Sequence, residues 1–196
     1  LMMNNGKHVL CEKPMAVNSA EAEEMFNCAK ENNVFLMEAM WARLVPGTIK
    51  MLELVKNGIF GEILGLEGKF CYTFDEDEMD HHALKKEYGG GSLLDVGVYG
   101  LNFAQWYLGN DITSIKAECD LYNGVDAHTC VLQKYKNGAI AELSSPNRNS
   151  KASLGTFLSR AREVYRLQYR HYLYVWLRCP RLWYCMQNLH KKFASC

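Results

Sequence analysis

Two stretches of this sequence carry residue types and spacings suited to proton and anion chemistry. The first is Glu12-Lys13-Pro14, directly after the apolar run His8-Val9-Leu10-Cys11. A lysine at the end of a buried strand is a fixed cation that can sit beside a cofactor or a substrate oxygen. On spacing alone, an ordinary strand-end lysine on the surface is the favoured reading. The second is GGGSLLDVGVYGLNFAQW, residues 89–106. Asp95 and Tyr99 are four apart and share one helix face. Gly91 and Gly97 permit close backbone approach. Tyrosine titrates near about 10, and a neighbouring cation favours its phenolate. A tyrosine beside a lysine is therefore a proton acceptor for an alcohol losing hydride. The alternative is a core tyrosine with a bonded hydroxyl. A third stretch, Met37-Glu38-Ala39-Met40-Trp41-Ala42-Arg43, offers Trp41 as a pocket wall and Arg43 as an anion holder. It reads as well as a core tryptophan with a surface arginine.

The elements that position these groups follow from the pattern around them. Asn4-Asn5-Gly6 reads as a helix end with a left-handed glycine cap. A strand over residues 8–11 stops at Pro14, which cannot continue a ladder. Asn18 or Ser19 caps a helix running to about Asn32, and Val34-Phe35-Leu36-Met37 forms a second buried strand. Strand, helix, strand implies parallel pairing with a crossover, the unit of a doubly wound sheet. Pro46 opens another helix, with Ile49, Leu52, Leu54 and Val55 as its apolar face. Residues 63–74 alternate as a half-buried strand, with Leu64, Leu66, Gly68, Phe70 and Tyr72 on one side. Residues 75–88 form a surface loop or short helix, and an apolar helix spans about Ser92 to Leu108. Strands follow over 112–121, 129–135 and 139–143, the last two joined at Asn137-Gly138. The fold class is thus α/β: a Rossmann-type remnant followed by an α+β domain with an open, mostly antiparallel sheet.

Composition narrows the classes. The 196 residues carry a formal net charge of zero, which argues against bulk attraction to nucleic acid or anionic membrane. The zero hides an asymmetry. Nine basic residues lie beyond position 150, from Lys151 to Lys192, against one acid, Glu163, so that stretch is +8 and the rest −8. Residues 148–196 crowd tyrosine and tryptophan among arginines. Such a text suits a membrane-surface or RNA-binding helix. The reading adopted is a segment foreign to the fold, as from an alternative exon or shifted frame. No run approaches the roughly 20 apolar residues of a spanning helix, and no signal peptide is visible. None of the eight cysteines lies in a CxxC pair, and His81-His82 has no further ligand at metal spacing. Free thiols, no metal and a cytoplasmic setting are expected. The chain opens on Leu rather than Met, so it is expected to begin inside a longer protein.

Three segments, HVLCEKPMAVN, LMEAMWARLVP and GGGSLLDVGVYGLNFAQWYLG, occur in this order over residues 1–147. Together they resemble the glucose–fructose oxidoreductase, inositol dehydrogenase and MocA family, and within it the dimeric dihydrodiol dehydrogenase branch, also described as NADP-linked D-xylose dehydrogenases. The resemblance implies a Rossmann remnant over 1–40, an incomplete substrate and dimerisation domain over 41–147, and the basic tail over 148–196. It implies NADP (or NAD) as cofactor, a diol or sugar substrate, and a parent homodimer formed through the sheet. It places Lys13 beside the nicotinamide and the substrate hydroxyl, with Asp95 and Tyr99 in the active site. Many relatives carry His where Tyr99 stands; the dihydrodiol branch uses Tyr as acid/base. Trp41 and Phe70 match that branch's aromatic substrate wall, and Glu12 and Arg43 match positions near the cofactor.

The departures matter as much. No G-x-G-x-x-G occurs anywhere in the sequence, and that loop is the usual pyrophosphate cradle. The residue that selects NAD or NADP is missing with it, and the tail stands where later sheet strands are expected. Two functional readings stay open: a dehydrogenase of vicinal diols or sugars, truncated and inactive as given, or a cofactor-free binding or regulatory partner of intact subunits.

Overall fold

The computed structural model describes residues 1–72, 74 and 80–146 in full, and the backbone alone of 164–168 and 173–178. The chain forms two compact units, Leu1–Val45 and Pro46–Cys196.

The first unit is a β-α-β crossover. Strand β1 (Val9–Cys11) pairs in parallel with β2 (Leu36–Glu38), Cys11 lying opposite Glu38. Helix α1 (Ser19–Glu31) joins them. Asn18 caps it: its side chain accepts from the Glu21 amide at 3.0 Å and donates to the Glu21 carboxylate at 3.0 Å. A short turn of 3-10 helix, Met3–Asn5, precedes β1 and ends on Gly6 at φ +68°.

The second unit begins with helix α2 (Pro46–Lys56). Its sheltered face runs Thr48, Met51, Leu52 and Val55, an i, i+3, i+4, i+7 stripe. Ile49 lies one step round the helix and is 52 % exposed, against 1 % for Thr48, so it is not part of the apolar face expected of it. Strand β3 (Gly65–Phe70) follows. It buries Leu66 and Gly68, whereas Leu64 precedes the strand and stays exposed.

Residues 98–108 form helix α3 (Val98–Leu108), but the segment before it, Leu93–Gly97, winds as a π-helical turn. The apolar spacing alone had suggested one continuous helix. Strands β4 (Ile112–Tyr122), β5 (Val125–Tyr135) and β6 (Ile140–Pro146) form an antiparallel meander. The β4–β5 turn is Asn123-Gly124, both at positive φ, the two-residue type I′ geometry. It starts β5 at Val125, four residues earlier than the apolar run suggested.

The sheet order is β4-β5-β6-β3-β8-β7, where β7 is Val164–Gln168 and β8 is Leu173–Arg178. Four pairings are antiparallel, and β3 runs parallel to β6. The open edge of β3 is completed by β8, which pairs along all of Gly65–Phe70. The basic stretch therefore contributes backbone to the sheet. Its β-branched and aromatic composition suits a pleated surface, and an unpaired edge leaves N–H and C=O groups to satisfy. The rest of that tail lies outside the described residues, as do positions 75–79 of the expected surface loop.

Helix α3 covers one face of this sheet. Phe103, Ala104 and Ala141 are fully buried, with Tyr107, Val131 and Leu143 close to it. The approach is close: a Cβ on Gly97 would lie 3.0 Å from the Ser145 hydroxyl.

Candidate active site

The first unit carries Glu12, Lys13, Trp41 and Arg43. Parallel pairing sets the carboxyl ends of β1 and β2 side by side, and the Ala39 amide donates to the Cys11 carbonyl at 2.7 Å. Glu12 and Lys13 leave the first strand end; Trp41 and Arg43 leave the second, in the 3-10 turn Trp41–Leu44. The Lys13–Pro14 peptide is cis. Beyond it the Met15 amide donates to the Glu38 carboxylate at 2.9 Å, which ties the two strand ends together. Lys13 and Arg43 are half-buried, while Glu12 is exposed and Trp41 is half open to solvent. In doubly wound sheets ligands bind outside the carboxyl ends of the strands. Two cations at such an end suit an anionic or electron-rich ligand.

The second unit carries Phe70, Asp95 and Tyr99. Asp95 sits in the π-helical turn, half-buried, and Tyr99 in the first turn of α3, 6 % exposed. The Tyr99 ring meets Phe70 edge to face, centroids 4.9 Å apart at 83°, a favourable aromatic geometry. Phe70 ends β3, so strand end and helix start converge on one aromatic pair. The structure thus brings together Phe70 and Tyr99 with Asp95 one turn earlier, and separately Lys13 with Trp41 and Arg43.

One group in this half escaped the sequence reading. The Asp126 carboxylate accepts three hydrogen bonds on one oxygen: from the Ser92 hydroxyl at 2.6 Å, the Leu93 amide at 2.7 Å and the Thr129 hydroxyl at 2.5 Å. Ser92 is fully buried, and it also lies 3.4 Å from the hydroxyls of Thr129 and Ser145. An aspartate within a strand ordinarily reads as a solvated face. The available signal was Gly91-Ser92 ahead of an apolar helix, a start that needs an acceptor for its first amides.

Residues 48–157, more than half of the chain, match the GFO/IDH/MocA C-terminal domain. The chain belongs to the GFO/IDH/MocA family. Residues 1–40 match the oxidoreductase family's NAD-binding Rossmann fold. Among relatives, the trans-1,2-dihydrobenzene-1,2-diol dehydrogenase of Xenopus laevis is 36 % identical over 150 residues, which are 74 % of this chain and 44 % of that protein. The scyllo-inositol 2-dehydrogenase (NADP(+)) IolU of Bacillus subtilis is 36 % identical over 141 residues, 69 % of this chain and 42 % of that protein. Among solved structures, aldose-aldose oxidoreductase from Caulobacter crescentus, complexed with glycerol, superposes with a TM-score of 0.68 at 28 % identity, covering 74 % of this chain and 44 % of that one. The 3-ketoreductase KijD10 from Actinomadura kijaniata, in complex with NADP and TDP-benzene, gives 0.68 at 28 %, covering 74 % and 45 %. The chain spans less than half the length of these relatives.

For a family whose domain binds a nicotinamide dinucleotide, the residues here fit one end of that cofactor. The half-buried cations Lys13 and Arg43 at adjacent strand ends suit an anionic or electron-rich group of such a ligand. The sequence contains no G-x-G-x-x-G to cradle the pyrophosphate.

Proposed function

We propose that these residues serve an oxidation of a vicinal diol or sugar hydroxyl, such as a trans-dihydrodiol or D-xylose, with NADP+. Hydride acceptance is the chemistry a bound nicotinamide supplies. In this reading Tyr99 takes the hydroxyl proton. Lys13 orients the substrate oxygen. Asp95 positions the substrate or Tyr99. Trp41 and Phe70 wall the substrate, and Glu12 and Arg43 lie toward the cofactor. Residues 1–40 act as the remaining part of a dinucleotide-binding domain and 41–147 as an incomplete substrate domain. The open sheet face, with Leu132 and Ile140 exposed, serves as the dimer surface of the whole enzyme. The described cysteines are free, in keeping with a cytoplasmic setting.

The observation that carries the reading is the Tyr99 ring held against Phe70 directly after the Asp95 turn, in a family of dehydrogenases. The test places Lys13→Met and Tyr99→Phe in a polypeptide that joins these residues to a complete dinucleotide-binding domain. General acid–base catalysis contributes about 10²–10⁴-fold, so turnover of a dihydrodiol or D-xylose with NADP+ should fall by at least about 10²-fold for Tyr99→Phe. Turnover within about tenfold of the parent refutes the assignment.

A second reading is a cofactor-free binding or regulatory partner of intact subunits. Titration of this chain with NADP+ separates the two. Saturable binding excludes the cofactor-free partner, and its absence favours it.

A further inference from the structure

We infer that Asp126 is a positioning residue that holds the π-helical turn in register and so sets the direction of Tyr99. The inference rests on the proposed role of Tyr99.

Asp126 reaches the helix through a β-bulge. Opposite Asp120 and Leu121 of β4 the pairing jumps from His128 to Asp126, so β5 carries one extra residue there. Bulges re-aim side chains that strict alternation would send elsewhere. Here the re-aimed group is a carboxylate, and it meets the start of the π-helical turn. A charged acceptor at the first amides of a helix is stabilised by the orientation of the peptide dipoles. Its hydrogen bonds are stronger than those to a neutral oxygen. One oxygen takes all three donors, Ser92, Leu93 and Thr129, so the turn is tied to β5 at two consecutive residues. Ser145 extends the tie to the neighbouring strand: its hydroxyl donates to the Thr129 carbonyl at 3.3 Å and lies 3.4 Å from Ser92.

The register has a consequence for Tyr99. A π-helical turn holds one residue more than an α-helical turn. Relaxing it to the α form would rotate every following side chain by roughly 100°. The Tyr99 ring would then turn away from Phe70, with which it now packs at 4.9 Å. The network that pins the turn at Ser92 and Leu93 lies ahead of that extra residue. Gly97 closes the turn against Leu93 and Ser145. The carboxylate therefore acts on the phenol through the backbone, without being placed in the reacting group itself.

The test has two arms. In this chain, Asp126→Asn keeps the shape and removes the charge. Hydrogen exchange of residues 93–99 should quicken by about tenfold while the amides of β6 stay within about twofold. Unchanged exchange at 93–99, or equal loss throughout the unit, overturns the inference. In the polypeptide with a complete dinucleotide-binding domain, misplacement on the scale of an ångström lowers kcat by about 10²-fold, with KM for NADP+ unchanged. In a Tyr99→Phe background the same substitution should add nothing, because both changes remove one function. A multiplicative loss in the double variant marks Asp126 as merely structural and overturns the inference. Should Tyr99→Phe alone stay within tenfold of the parent, the role of Tyr99 fails, and the exchange arm still decides whether Asp126 sets the turn.

Discussion

Gly91→Ala should destabilise the second unit far more than a glycine-to-alanine change at an ordinary turn. Gly91 sits at φ +128°, and a Cβ there would run into the Asp126 carboxylate. The conformation alone costs an L-residue about 1–3 kcal/mol. Displacing the carboxylate loosens its bonds to Ser92, Leu93 and Thr129. Losing one hydrogen bond to a charged group costs about 1.5–3 kcal/mol. The sum is about 2.5–6 kcal/mol, a large part of the stability of a domain. Gly138 is the control: it sits at φ +89°, and a Cβ there would meet nothing within 4 Å, so Gly138→Ala meets the conformational cost only. The assay is hydrogen exchange of the slowest β5 and β6 amides under conditions where exchange reports the free energy of opening. The two variants should differ by about 1.5–3 kcal/mol. A difference under about 0.5 kcal/mol would show that the carboxylate yields freely, and the reasoning about its three bonds would be wrong.

Two further outcomes follow from local features. Asn18→Ala removes the cap of α1 and should cost about 1 kcal/mol, seen as faster exchange in residues 19–31 with no change in the second unit. Glu67 stands beside Glu142 in the β3–β6 register. Although its side chain is exposed, the surrounding sheet desolvates the carboxyl; Glu142 adds to this and Lys69 opposes it, and the net effect lifts Glu67 above its ordinary 4.5. A raised native pKa means that folding favours the protonated form, so this stability is present at low pH and lost as pH rises through the folded value. Glu67→Gln should therefore stabilise the unit at about pH 7 and change little near about pH 3.5, measured by urea unfolding at both. A gain at acid pH instead would reverse the sign of the argument.

The features legible in the sequence were those written in a few adjacent residues. Asn18 with Glu21 gave the helix start, Pro14 the strand end, and the β-α-β order the parallel pairing that sets Lys13 beside the Trp41–Arg43 turn. The antiparallel character of the second sheet was legible from Asn137-Gly138. What was hidden depended on distant partners. The parallel β3–β6 pairing leaves no local mark, since strand direction does not alter alternation. The π-helical turn was invisible because Leu93, Val96 and Phe103 fit an α-helical period within the tolerance of a short segment. Asn123-Gly124 carried the same turn signal as Asn137-Gly138, but the polar Asp126 and His128 after it masked the start of β5.

Asp126 and Lys13 show why the candidate residues of the two units differ in legibility. Lys13 owes its place to a strand end, which a proline and an apolar run announce. Tyr99 owes its direction to a turn whose register is fixed 27 residues away, at Asp126. Residue types alone therefore identify the phenol as a candidate acid/base but not the angle at which it is presented. A carboxylate in a bulge, tied to the backbone of the π-helical turn, can hold that direction without entering the chemistry.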